Sequence, residues 1–320
     1  MIGYVIRRLA LIIPTLLLVT IIVFLLVRFI PGNVIELMVA EMSAEGSVTT
    51  EITADLIREA LGLDVPVHVQ YGKWVAGVFR GDLGRSMWTD RAITGDLLSR
   101  IPISLELGIM AIITAMVIAI PIGVYSAIRQ DTAGDYLGRT LAILAISLPG
   151  FWLGTMVVVY PSIWWDWSPP LDYIKFVDDP IENLKQFAVP GVLMGMIMSG
   201  TTMRMTRTMM LEVLRQDYIR TSWSKGLTER VVVVRHALKN ALIPVVTVAA
   251  GMVPVLIGGS AVMEQIFALP GLGRYLLEAL GKRDYPIISA INLTMGLFIM
   301  VLNLVVDLTY AWLDPRIRYR

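Results

Sequence analysis

ISLELGIMAIITAMVIAIPIGVY, residues 103–125, contains one acidic or basic side chain, Glu106. At about 1.5 Å of rise per residue a stretch of this length crosses the roughly 30 Å hydrocarbon core of a bilayer, where a backbone must satisfy its own hydrogen bonds and so coils into a helix. Five further stretches read the same way, at 9–30, 141–163, 187–203, 241–263 and 287–313. The one at 187–203 is short and needs a turn from its flanks, with Arg204 snorkelling to the interface. The expected fold is an all-α integral membrane protein with about six transmembrane helices. The composition agrees: 56% of the 320 residues are hydrophobic, 17% are charged and the mean hydropathy is +0.70, outside the range of soluble globular chains.

Membrane lipid is therefore the first partner, and a net charge of +1 offers no ground for a nucleic-acid partner. The absence of cysteine excludes disulfides, a thiol nucleophile and thiolate metal sites. His68 and His236 stand far apart in the sequence, against a histidine metal cluster. No metal or cofactor is expected on the chain itself.

Arg7 and Arg8 precede the first apolar stretch as in a signal peptide, but that stretch is too long for a signal core and runs into Phe29-Ile30-Pro31-Gly32 without a small-residue cleavage site. A retained helix is expected. With six spans and the N-terminus inside, the inner segments hold 15 Lys and Arg against 6 Asp and Glu, and the outer ones 12 against 17. Basic residues favour the cytoplasmic side, above all the eight in 204–240 and the trio Arg316, Arg318 and Arg320. Both termini are expected in the cytoplasm, with Ser86 outside and Ser224 inside.

Three regions follow: 1–30 with the first span, an external subdomain over 31–100, and a core over 101–320 with five spans and a cytoplasmic loop at 204–240. In the external region Thr50 or Thr53 is expected to cap a helix over 54–61, and Pro66 to open another toward Phe79. Trp164, Trp165 and Trp167 follow the third span as an interfacial anchor.

The polar stretch Asp217-Tyr218-Ile219-Arg220-Thr221-Ser222-Trp223-Ser224-Lys225-Gly226-Leu227 lies between the fourth and fifth spans. Asp217 is placed to cap exposed amides, and Gly226 to take the left-handed position past a helix end. They frame a helix of little more than two turns, too short to persist alone in water, with Ile219 and Trp223 four residues apart on one face. Such a helix needs a partner surface. Thr228 and Glu229 start a second helix that runs past Arg235, His236 and Lys239 into the fifth span.

Here the sequence resembles the inner-membrane permeases of bacterial and archaeal ABC importers, whose cytoplasmic loop reads Glu-Ala-Ala, three residues, Gly, then nine residues before Ile-x-Leu-Pro. Gly226 and Leu238 fit that pattern, while Arg220, Thr221 and Ser222 stand in place of Glu-Ala-Ala, and His236 and Lys239 in place of Ile and Pro. The dipeptide, oligopeptide and nickel permease branch is closer along nearly the whole chain. Its pieces include Leu61-Gly62-Leu63-Asp64-Val65-Pro66, Gly81-Asp82-Leu83-Gly84-Arg85-Ser86, Asp217-Tyr218-Ile219-Arg220-Thr221 and Lys225-Gly226-Leu227. Arg235-His236-Ala237-Leu238-Lys239-Asn240-Ala241-Leu242-Ile243-Pro244, Pro270-Gly271-Leu272-Gly273-Arg274 and Leu313-Asp314-Pro315-Arg316 continue it in family order.

The resemblance implies a type I ABC importer permease fold and a peptide or related cargo; nickel complexes, glutathione and oligosaccharides stay open. It implies a second homologous permease subunit, two cytoplasmic ATPase subunits and an external substrate-binding protein, in a bacterial or archaeal cytoplasmic membrane. It also implies that residues 217–226 couple the permease to ATPases, through Asp217, Tyr218, Ile219, Arg220, Thr221, Ser222, Trp223, Lys225 and Gly226. ATP and Mg²⁺ would sit on those partners, because neither Gly-Lys pair here, at Gly72 and Gly281, has the glycine five residues earlier that a phosphate loop requires.

Ionisable residues within spans are candidates for the translocation path because their burial in lipid is costly. Glu106 either faces that path or stands at the outer interface; Glu264 and Asp307 either meet substrate or pair with another subunit. Seven methionines between 194 and 210 fit adaptable packing better than a metal path. Prolines at 14, 121, 149, 190, 244 and 254 are expected to kink or punctuate spans, and Pro270-Gly271-Leu272-Gly273 opens either a re-entrant segment or an interfacial helix. Two other function classes fit the composition. An ion-driven transporter or channel is separated by its independence of ATP. An intramembrane enzyme recruiting Ser104, Ser199 or His236 is disfavoured because no span holds a histidine.

Overall fold

A computed structural model describes the backbone of residues 2–29 and 64–313, and the side chains of 12–25, 64–249, 251–252 and 260–304. Its elements are α1 (Ile2–Phe29), α2 (Val67–Phe79), α3 (Ile93–Ile128), α4 (Ala133–Ser147), α5 (Gly150–Trp165), α6 (Pro180–Leu214) and α7 (Asp217–Ser224). They continue with α8 (Glu229–Val231), a π-helical segment (Val232–Leu238), α9 (Lys239–Gly251), α10 (Val253–Ile266), α11 (Leu272–Lys282) and α12 (Tyr285–Leu313). Among the described residues the only β pairing is an isolated bridge between Arg85 and Ala92. Pro66 precedes α2 as expected; the helix expected over 54–61 lies outside the described residues.

Three helical stretches, Ile93–Ile128, Glu229–Ala249 and Tyr285–Leu304, are long and apolar enough to cross a membrane, and α4 with α5 makes a fourth if the bent pair counts as one span. The bend falls where Pro149 is expected to kink or punctuate the stretch over 141–163: α4 ends at Ser147, Pro149 caps α5, and the two axes differ by 91°. A proline disfavours helical geometry in the residue before it, and Leu148 is extended at φ −83°, ψ 126°. The stretch expected over 241–263 is likewise divided, between α9 and α10 at Met252, with Pro254 in the first turn of α10.

The chain divides into two compact units, one of residues 1–101, 274–304 and 318–320, the other of 102–273 and 305–317. In the first, α1 meets α2 through Thr20 Oγ1 and the Tyr71 hydroxyl at 2.9 Å and through Phe24, whose ring stands edge-on to Tyr71 at 5.2 Å. The Gly81-Asp82-Leu83-Gly84-Arg85-Ser86 motif makes a tight double turn, with Gly81 at φ +79° and Gly84 at φ +92°. It ends in a clamp: Ser86 Oγ donates to Asp284 Oδ2 at 2.6 Å, and Trp88 Nε1 donates to the Lys282 carbonyl at 2.8 Å. Ser86 is therefore buried, not an exposed external position.

In the second unit α6 is the central helix, packed on α4, α5, α9, α10 and the π segment. This explains why its 35 residues, which include the expected fourth span, do not pass as a lipid-facing helix by composition. Its surface meets protein, so small and polar residues replace leucine and isoleucine. A Cβ on Gly195 would stand 2.7 Å from the Ala111 carbonyl oxygen of α3, and one on Gly200 2.5 Å from that of Ala142 in α4. Buried Thr202 and Thr206 satisfy their hydroxyls on their own helix, at Met198 and Thr202 carbonyls 3.1 and 2.8 Å away. Met194, Met198, Met252 and Met263 border a cavity of about 430 Å³ beside the α4–α5 bend, consistent with flexible side chains filling irregular space. Among the described residues no group of metal-ligating side chains is present.

Candidate functional site

The eight residues of α7 are positioned by both ends and one anchor. Gln216 is the N-cap, in extended geometry, so Asp217 is the first helical residue rather than the cap; its carboxylate lies 3.5 Å from exposed Arg220 and favours the amide end of the helix. At the other end Gly226 has φ +74°, the left-handed geometry its position predicts, and its amide donates to the Trp223 carbonyl at 2.9 Å. Ile219 is the anchor. It is fully buried among Met210, Val232, Val233, Ala237 and Ala241, all within the same unit.

That burial corrects the expectation that Ile219 and Trp223 share an outward face. A two-turn helix cannot stay folded unless one side is rooted, and Ile219 is the root, leaving Trp223 44% and Tyr218 42% exposed. Arg220, Thr221, Ser224 and Lys225 are also exposed, whereas Ser222 is buried and donates to the Tyr218 carbonyl at 2.9 Å. Tyr218 is tied at its tip, its hydroxyl accepting from Asn240 Nδ2 at 2.7 Å.

The helix begun by Thr228 and Glu229 continues, as expected, into α9, but through seven π-helical residues. A π turn adds a residue, so side chains five apart align. Val232 and Ala237 are so spaced, both fully buried, and together with Ala241 they form the floor under Ile219. The valine run Val231-Val232-Val233-Val234 and the five-residue spacing are the only sequence signals of this feature. Exposed Glu229 lies 3.4 Å from Arg129 at the end of α3.

One ion pair beside this region has no local sequence signal. Asp135, fully buried in the first turn of α4, receives Arg207 Nε on Oδ1 and an Arg207 terminal nitrogen on Oδ2, both at 2.8 Å, and the Asp131 amide on Oδ2 at 3.1 Å. These bonds hold the Asp135 carboxyl below the usual carboxylate range and raise the Arg207 guanidinium. The pair ties α4 to α6.

Of the three acidic candidates for a path, Glu264 and Glu106 sit in separate contacts. Glu264 is fully buried and accepts from Ser104 Oγ at 2.6 Å; the same Oγ accepts the Leu272 amide at 2.8 Å. A Cβ on Gly271 would collide with the Glu264 carboxylate, and one on Gly273 with Ala261, so the Pro270-Gly271-Leu272-Gly273 turn is shaped by close approach. Glu264 thus supports a turn instead of lining open space. Glu106 is half-buried and meets Asn183. The Asp307 side chain lies outside the described residues.

Residues 119–319 match the family of binding-protein-dependent transport system inner membrane components, and residues 1–108 match the N-terminal model of such membrane components. The chain is 37% identical over 343 residues to the dipeptide transport system permease protein DppB of Escherichia coli K12, and 39% identical over 339 residues to that of Alkalihalophilus pseudofirmus. It is 38% identical over 319 residues to a Brucella abortus protein named as a peptide transport system permease. In all three comparisons both chains are covered in full.

Proposed function

Because the chain belongs to the family of inner membrane components of binding-protein-dependent transport systems, it is a permease subunit of an ABC importer, and we propose that its cargo is peptides. It is a transport subunit rather than an enzyme. The peptide assignment rests on the three relatives, two of them named for dipeptides.

The proposed setting is the cytoplasmic membrane of a bacterium or archaeon, with six crossings and both termini inside. The basic clusters at 204–240 and 316–320 support this orientation. α6 supports the higher span count, since 35 helical residues extend about 50 Å, more than a bilayer core requires. A second homologous permease, two ATPase subunits that bind ATP and Mg²⁺, and an external substrate-binding protein complete the machine.

The observation that carries the coupling role is α7 itself: a two-turn helix rooted by Ile219, with Tyr218, Arg220, Thr221 and Trp223 on its solvent side. Aromatic and arginine side chains on a small rigid element are the residue types that anchor protein interfaces. A push on α7 is transmitted through Ile219 to the π segment, to Met210 of α6 and to Ala127 of α3, which share its core. Asp217, Ser222, Lys225 and Gly226 set the shape and aim of this element.

The test is co-expression with the ATPase subunits followed by purification and uptake assays. The ATPases should co-purify and uptake should follow ATP. Uptake that collapses with the proton gradient while ATP stays high would contradict the reading.

A further inference from the structure

Near the start of α6 two side chains joined by one hydrogen bond each carry a buried oxygen without a partner. Asn183 is fully buried, and its Nδ2 donates to the Ile174 carbonyl at 2.9 Å and to Glu106 Oε2 at 3.4 Å. Asn183 Oδ1 and Glu106 Oε1, the remaining oxygens of the two groups, are both buried and both unpartnered. Turning the amide round does not help, because its oxygen would then face the Ile174 carbonyl. The neighbouring Gln186 is occupied: its Oε1 accepts the Ile174 amide at 3.2 Å and its Nε2 donates to the Asp172 carbonyl at 2.5 Å.

Among the described residues no cationic side chain compensates a carboxylate at Glu106. On α6, Lys185 is engaged with Glu182 on the exposed side, and Asp179 accepts from the Ile181 and Glu182 amides at the helix start. On α3, residues 103–110 carry no other ionisable group. The segment before α6 presents Tyr173, a neutral phenol at ordinary pH, whose ring stands edge-on to Phe187 at 6.3 Å.

An ionised carboxylate only accepts, and so does an amide oxygen. A single proton changes the balance. On Oε1 it makes a donor for Asn183 Oδ1, while Asn183 Nδ2 continues to donate to Oε2, so both orphaned atoms are satisfied by one ring of two hydrogen bonds. We propose that Glu106 is a proton-binding site, its proton shared with Asn183 as an acid–amide pair that latches α3 to α6 and to the 172–174 segment. The proton is taken from water and returned to it. The latch is closed while the proton is held and opens as pH rises past the point of its loss. A neutral Glu106 then offers no charge to a passing ligand. The inference does not depend on the transport reading, because its first readout is spectroscopic.

The experiment compares infrared spectra of the assembled transporter in H₂O and D₂O for wild type and Glu106→Gln. Wild type should show a protonated-carboxyl C=O band that shifts in D₂O, is absent from Glu106→Gln and fades as pH is raised. Glutamine preserves both bonds as an amide–amide pair, so Glu106→Gln should keep thermal stability and uptake within about twofold of wild type. Glu106→Leu strands Asn183 and should lose stability. If Glu106→Gln does not assemble, Asn183→Leu provides a second arm, in which the wild-type band should move because its acceptor is gone. Absence of such a band at neutral pH, or a loss of uptake beyond about tenfold in a well-assembled Glu106→Gln transporter, overturns the proposal.

Discussion

Replacing Gly226 by asparagine, alanine and valine should grade the coupling of this permease without removing it from the membrane. Gly226 has φ +74°, and no atom lies within 4 Å of the point where a Cβ would stand, so a substitution meets no collision and its whole effect is conformational. Left-handed geometry costs a residue with a Cβ about 1–2 kcal/mol, less for asparagine and more for a β-branched side chain. One to two kcal/mol shifts a local equilibrium by a factor of about 5–30. Here the equilibrium lies between a correctly ended α7 and one that runs on past Lys225, turning Trp223 and Tyr218 away from their present direction. The apolar spans that drive insertion are untouched. Receptor-stimulated ATP hydrolysis and ATPase co-purification, measured at matched permease levels, should therefore fall in the order asparagine, alanine, valine. Equal coupling in the asparagine and valine variants would refute the reasoning.

Ile219→Ala removes the buried root of α7 and should destabilise its docking on the π segment by about 2–5 kcal/mol, seen as faster proteolysis after residues 215–225 with the spans intact. Asp135→Asn leaves Arg207 short of its partner and should cost about 3–5 kcal/mol of thermal stability in detergent. Because Arg207 lowers the Asp135 carboxyl in the folded protein, the pair's stabilisation is complete above the ordinary carboxylate range and is lost as pH falls through the lowered value; Asp135→Asn should flatten that acid limb. Exposed Thr89, in place of buried Ser86, should accept a cysteine label from outside intact cells, and Ser224→Cys only after permeabilisation.

Three or four membrane-crossing helices are legible in the sequence because lipid demands long apolar stretches, and α7 because a glycine at its end has one clear use. What the sequence did not reveal depends on three-dimensional neighbours. Pro149 signals a break but not a 91° turn, which is set by where α5 packs. α6 reads as a weak span because its surroundings are protein, with Gly195 and Gly200 pressed against neighbouring backbones. Ile219 and Trp223 have the same spacing logic on a short helix, and only the floor made by Val232, Ala237 and Ala241 decides which is buried. The partners Asp135 and Arg207 are 72 residues apart, and no local pattern joins them. The glycines of the Pro270-Gly271-Leu272-Gly273 motif acquired a reason once Glu264 and Ala261 were seen against them.

A photo-activated crosslinker placed at Trp223 in the assembled importer tests the central claim most directly. Trp223 and Trp165 are both exposed on this chain, at 44% and 71%, so the second position controls for mere accessibility. Illumination should join the Trp223 position to an ATPase subunit and leave Trp165 unjoined to it. An ATPase captured from Trp165 and none from Trp223 would contradict the assignment of α7 as the coupling element.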